Sequence, residues 1–142
     1  NSLNVLDELA DEAGITLVST GGVLRPASRA LVGAGAEASL RDLRADMAFV
    51  SGTGFSLGFG LSTMSIPEAA VKRAMLQAAR RNFLLADHTK IGVESLVKVA
   101  PAESIQELVT DAGISPHDRL AFTQRGIQVT IAGEATKEVI GK

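Results

Sequence analysis

The sequence predicts an α/β domain: a mostly parallel sheet with helices on both faces. Three observations carry that expectation. Short apolar runs read as strands, amphipathic runs read as helices, and the two alternate over short connections. The length of 142 residues, 46% hydrophobic and 21% charged, suits one domain with a core of useful size.

The elements follow in order. Leu3, Leu6, Leu9, Ala10 and Ala13 recur at helical spacing, and Gly14 is a stop signal. "ITLVST", 15–20, reads as a buried strand running into "GGVLRPAS". "EASLRDL", 37–43, is a short helix, and "MAFVSG", 47–52, a second strand entering the structureless loop "TGFSLGFGLSTMS". A stronger helix spans about 67–80, with Val71, Ala74, Met75 and Ala78 opposite Lys72, Arg73, Gln77 and Arg80. "NFLLAD", 82–87, is the third strand, and 96–101 and 107–111 are short ones. The run 115–126 is a helix with Ser115 as cap, Pro116 at its first position and Gly126 beyond its end. Residues 127–132 form the last strand, and the tail "GEATKEVIGK" fits no element.

Composition excludes several classes of function. A net charge of −2 builds no basic surface to hold a nucleic acid backbone; any service to DNA needs another segment. With no cysteine there is no disulfide and no thiolate metal site, which fits a reducing, cytoplasmic setting. His88 and His117 are far apart in sequence, so neither a His-rich metal site nor a cofactor is expected. No Trp or Tyr is present to stack on bases or sugars. No apolar run approaches the ~20 residues of a membrane span, and no signal peptide opens the chain.

Ligands collect beyond the carboxyl ends of parallel strands. Thr20, Gly21 and Gly22 stand at one such exit with Arg25 three residues on. Paired glycines let backbone N–H groups approach an anion, and a guanidinium binds it bidentately; a plain glycine turn with a surface arginine fits the same spacing. Ser51, Gly52, Thr53, Gly54 and Ser56 follow the next strand, without GxGxxG or GK[ST]. Glu68 and Lys72 share a helix face, where a Ser65 to Glu68 capping box and an ordinary i,i+4 ion pair are the simpler account. In "ADHTK", Asp87 and Lys90 either bracket a polyol phosphate, acid on hydroxyl and amine on phosphate, or form a solvated turn. His88 reads as a turn residue and His117 as surface.

Seven segments in one order, "NSLNVLDEL", "STGGVLRPAS", "ALVG", "LRADMAFVSGTGFSLGFGLST", "EAAVKRAM", "LLADHTKIG" and "VKVAP", resemble the C-terminal effector-binding domain of DeoR-type bacterial transcriptional repressors over roughly residues 1–132. The resemblance implies a sugar-isomerase-like α/β fold, related to ribose-5-phosphate isomerases and glucosamine-6-phosphate deaminases. It implies an effector that is a phosphorylated sugar or related metabolite, and a homo-oligomer that touches operator DNA only through an N-terminal winged helix-turn-helix. The family's effector loops fall on Thr20, Gly21, Gly22 and Arg25, on Ser51 to Gly54, on Glu68 and Lys72, and on Asp87, Thr89 and Lys90. Two features depart from the pattern. Many members carry Asp where Thr53 stands here, and the family has a strand with a Gly-Thr-Thr-type phosphate loop upstream of "NSL". Residues 1–142 are therefore expected to be a single effector-binding domain lacking that strand, that loop and the DNA-binding domain.

The alternative is an isomerase or deaminase on the same fold. Proton transfer beside a carbonyl needs a positioned base. The enzymes of that superfamily carry a clustered Asp-Asp-Gly-type motif that is absent here, which favours a regulator that catalyses nothing.

Overall fold

The computed structural model describes residues 1–133. Along the chain run α1 (Leu3–Leu9), β1 (Val23–Arg25), β2 (Ala30–Val32), α2 (Ala34–Arg41), β3 (Ala45–Val50), β4 (Gly54–Ser56), β5 (Gly60–Thr63), α3 (Ile66–Ala78), β6 (Ala79–Leu85), β7 (Val97–Ala100), β8 (Glu107–Thr110), α4 (Pro116–Gln124) and β9 (Gln128–Ile131). Single 3-10 turns stand at His88–Lys90 and Ala102–Ser104.

The main sheet is parallel throughout, in the order β3-β6-β8-β9. Strands β4, β5 and β7 make a separate antiparallel sheet, and β1 and β2 a hairpin. The α/β class and the parallel sheet with flanking helices are as the sequence predicts.

Side chains alternate across each strand, so the parallel register aligns Val50, Leu84 and Leu108 on one face. That face is buried in the main core, where Phe55, Leu61, Ile105 and Ile127 also lose all or nearly all contact with solvent. Phe55 stacks on Phe122 of α4 with ring centroids 5.0 Å apart, joining the small sheet to the last helix. The opposite face presents Met47 and Phe49, 53% and 54% exposed, with Leu85 beside them.

Both longer helices start as their sequences dictate. The Ser65 hydroxyl accepts from the Glu68 N–H in α3, the Ser115 hydroxyl accepts from the Asp118 N–H in α4, and each has proline in its first turn.

Four expectations change. Residues 15–20 join no strand ladder among the described residues, and Val18 is 77% exposed. Strand character is largely packing against neighbours, and β-branched residues without a ladder partner make no sheet. The glycine-rich loop after β3 is not structureless; it folds as the β4–β5 hairpin, closed by pairs such as Phe55 with Leu61. Helix α3 stops at Ala78, and β6 begins at once because Ala79 pairs with Ala45. The strand expected at 96–101 joins the antiparallel sheet rather than the parallel one. The unassigned tail from residue 134 onward lies outside the described residues.

Leu84 is wholly buried at the centre of the core. Leu84→Ala should cost about 2–5 kcal/mol of unfolding free energy, and Met47→Ala on the open face much less. Urea denaturation of the two variants compares them directly.

Candidate functional site

The β1–β2 hairpin, the start of α3 and the turn after β6 bring charged side chains together. Arg25 ends β1, and its Nη1 donates to Glu68 Oε1 at 2.9 Å. Glu68 sits in the first turn of α3 and is only 8% exposed. Its second oxygen accepts from the Thr63 hydroxyl at 3.3 Å and lies 3.9 Å from Lys72 Nζ. The Ser65 half of the expected capping box is present, but the carboxylate reaches across to Arg25 and Thr63.

Burial works to raise the Glu68 pKa. The Ser28 hydroxyl, the Lys72 and Arg25 charges and the Thr63 hydroxyl outweigh it, leaving the carboxyl below its ordinary value. Burial lowers the Lys72 pKa; Glu68 pushes it back up, and the nearby Lys90 ammonium pushes it down again. Lys72 is thus an amine short of water and short of negative charge. It lines a cavity of about 210 Å³ with Ser51, Phe49, Met75 and Leu85, at the carboxyl ends of β3 and β6.

Asp87 opens the turn that follows β6. It accepts from the Thr89 N–H at 3.0 Å and from the Thr89 hydroxyl, and Lys90 Nζ lies 3.4 Å from its other oxygen. The Thr89 hydroxyl is the main cause of a lowered Asp87 pKa; slight burial opposes it, and the Thr89 N–H and Lys90 reinforce it.

The structure therefore places Arg25, Glu68 and Lys72 in one ionic network, sets Lys90 close enough to affect Lys72, pairs Asp87 with Lys90, and puts Ser51 in the Lys72 cavity. The other candidates have local partners. The Thr20 hydroxyl donates to the Gly21 carbonyl, the Gly21 N–H to the Ser19 hydroxyl, and the Thr53 N–H to the Ser62 carbonyl. A Cβ on Gly52 would stand 2.4 Å from Leu61 Cδ1. Packing accounts for two further glycines. A Cβ on Gly22, at φ +99°, would stand 2.6 Å from the Val32 carbonyl oxygen, and one on Gly54 only 2.3 Å from that of Val93.

Sequence reasoning missed Thr63, Ser28 and, at the end of β8, Asp111, which binds His88 at 2.7 Å. His88 and Asp111 are 23 residues apart, and only the sheet register brings them together. A larger hollow of about 420 Å³ lies between α2 and α3, and one of about 380 Å³ beside β3 adjoins the Lys72 cavity, sharing Asn1, Ser2, Val5, Phe49 and Met75 with it; size alone does not mark where charges converge. Among the described residues no three His, Asp or Glu side chains gather to hold a metal, and no helix is long and apolar enough to cross a membrane.

Glu68→Gln should leave Arg25 and Lys72 facing each other without a counter-charge and cost about 1–3 kcal/mol. The folded-state pKa of Glu68 lies below its unfolded value, so its stabilisation is complete above the ordinary carboxylate range and is lost as pH falls through the folded value. The stability gap between wild type and Glu68→Gln should therefore narrow on acidification. A gap that stays constant from neutral pH to pH ~3 would mean the charge is not what matters.

The DeoR C terminal sensor domain family model matches residues 1–112. The chain is 32% identical over 134 residues to a putative aga operon transcriptional repressor of Escherichia coli O157:H7, covering 94% of this chain and 50% of that protein. It is 34% identical over 125 residues to the HTH-type transcriptional regulator GolR of Listeria innocua, covering 88% and 49%. It is 34% identical over 111 residues to the HTH-type transcriptional repressor GlcR of Bacillus subtilis, covering 78% and 43%. The chain spans about half the length of the curated relatives it matches. It belongs to the DeoR C-terminal sensor domain family.

Proposed function

We propose that this DeoR-type sensor domain binds a phosphorylated sugar or related metabolite and thereby controls transcription. The observation that carries the reading is the pair of amines at the carboxyl edge of the parallel sheet. Lys72, partly buried and sharing its carboxylate partner with Arg25, lines a cavity, and Lys90 stands nearby on the turn after β6. A phosphate would add negative charge beside both amines, while Asp87 and Ser51 offer partners to sugar hydroxyls. Arg25 and Glu68 contribute by holding Lys72 in place, and Thr20, Gly21, Gly22, Gly52, Thr53 and Gly54 by shaping the adjoining loops. The relatives are named repressors and regulators, and the domain's role is regulatory rather than catalytic.

In this reading residues 1–142 are the sensor part of a longer cytoplasmic, homo-oligomeric regulator, and a helix-turn-helix region elsewhere reads the operator. The share of the relatives that the chain spans supports it. The outer edge of β3, apolar and without a ladder partner among the described residues, suits a further strand from that longer chain. A ligand shifts such a regulator between DNA-competent and incompetent states only by the difference in its affinity for the two.

Thermal-shift screening of sugar phosphates should find one that stabilises the protein, by about 2.7 kcal/mol at a hundredfold excess over Kd. Lys90→Ala should remove that stabilisation and leave the unliganded fold within about 0.5 kcal/mol of wild type. Because the Lys72 pKa is lowered, affinity for the phosphorylated compound should start to fall at a pH below the ordinary lysine range. Turnover of the bound compound, or undiminished binding by Lys90→Ala, would refute the reading.

A further inference from the structure

The turn that carries Asp87 and Lys90 is held from the neighbouring strand by one carboxylate. Strands β6 and β8 are in register at Leu85 and Val109, and the ladder continues through the Ala86 N–H to the Val109 carbonyl at 3.1 Å. Asp87 and Asp111 each follow two residues after these register partners. Asp111 Oδ1 accepts from the backbone N–H of His88 at 2.7 Å, and Oδ2 lies 2.7 Å from His88 Nδ1. One side chain thus fixes both the main chain and the ring of a single residue.

Gly113 completes the arrangement. Its N–H donates to Asp111 Oδ2 at 3.4 Å, and the imidazole lies against its Cα so closely that a Cβ there would stand 2.3 Å from Nδ1 and 2.6 Å from Cγ. The ring cannot yield to such a Cβ without disturbing its bond to Asp111. Beyond His88 the turn closes on itself, the Lys90 N–H on the Asp87 carbonyl and the Ile91 N–H on the His88 carbonyl, each at 3.1 Å. Whatever fixes His88 therefore fixes where Lys90 begins.

Asp111 and His88 are both about half exposed, and an exposed pair contributes little to global stability. Its benefit lies in local order: a turn already set in its bound shape loses less freedom when a ligand arrives. We propose that Asp111 is a positioning residue of the ligand site, clamping His88 so that Asp87 and Lys90 are pre-set for the bound molecule. The proposal rests on the reading of that turn as ligand-binding and adds to it a residue from another strand and a loop glycine that makes room. The Asp111 pKa, lowered to about 2 chiefly by the His88 N–H, agrees with a carboxylate that stays ionised in this role.

The test combines amide hydrogen exchange with binding of two probes, inorganic phosphate and glucose 6-phosphate, on residues 1–142 of wild type, Asp111→Asn, Gly113→Ala and Lys90→Ala. In Asp111→Asn, exchange at His88–Ile91 should rise about tenfold or more and probe affinity should fall about tenfold, with the core amides unchanged. Gly113→Ala, which keeps the carboxylate and displaces the ring, should show the same pattern more weakly and serves if Asp111→Asn folds poorly. Lys90→Ala should lose probe affinity with no change at the His88 amide, separating contact from positioning. Unchanged exchange at 88–91 in both clamp variants, or a loosened turn with undiminished affinity, would overturn the proposal. If the clamp variants loosen the turn but wild type binds neither probe, the ligand reading of the turn fails and the clamp itself stands.

Discussion

A buried carboxylate between two cations organises this end of the molecule. Glu68 receives Arg25 from the β1–β2 hairpin, Thr63 from the end of β5 and Lys72 from its own helix. A charge that deep is tolerated only when paired and hydrogen-bonded, so the hairpin, the antiparallel sheet and α3 must arrive in one relative placement or leave it uncompensated. Apolar packing beside it points the same way: Val32 of β2, Ala36 of α2 and Val71 of α3 form a small buried cluster one turn along the helix from Glu68. The Coulomb gain offsets desolvation here rather than adding a large surplus, and its worth is in fixing geometry.

That geometry explains why Lys72 is unusual. An exposed lysine would sit in water with a loose carboxylate partner. Here its amine lines a cavity at the sheet edge, shares the Glu68 carboxylate with an arginine, and feels a second lysine from the turn after β6. The lysine turn is in turn tied to the antiparallel sheet. Past Lys90 the Gly92 N–H donates to the Phe55 carbonyl at 2.8 Å, Glu94 accepts from the Ser56 hydroxyl at 2.8 Å, and the Ser95 N–H donates to the Ser62 hydroxyl at 2.9 Å. Displacement of Lys90 would therefore be felt along 91–95 and by the β4–β5 hairpin.

Glycines show how composition alone misleads about chemistry. Gly22 and Gly54 sit in loops that suggest phosphate cradles, yet each has a neighbour that leaves no room for a side chain. A glycine-rich run after a strand is equally the signature of a tight hairpin whose backbone is crossed by another segment. Residues 91–95 cross this one, a fact of tertiary structure that no local pattern announces.

Local physics was legible in the sequence by itself. Ser65 and Ser115 cap helices because a hydroxyl before a proline-led turn satisfies free N–H groups, and the apolar runs of β3, β6, β8 and β9 could be recognised because strands buried in a parallel sheet need them. The charged loops at strand ends were visible as candidates, but their partners were not. Only the folded chain decided that residues 15–20 join no ladder among the described residues, that the helix yields to a strand at Ala79, that Glu68 turns toward Arg25, and that Asp111 meets His88. The reason is common to all four: each depends on a neighbour far along the chain, and sequence spacing carries no record of which distant residue sheet register will place alongside.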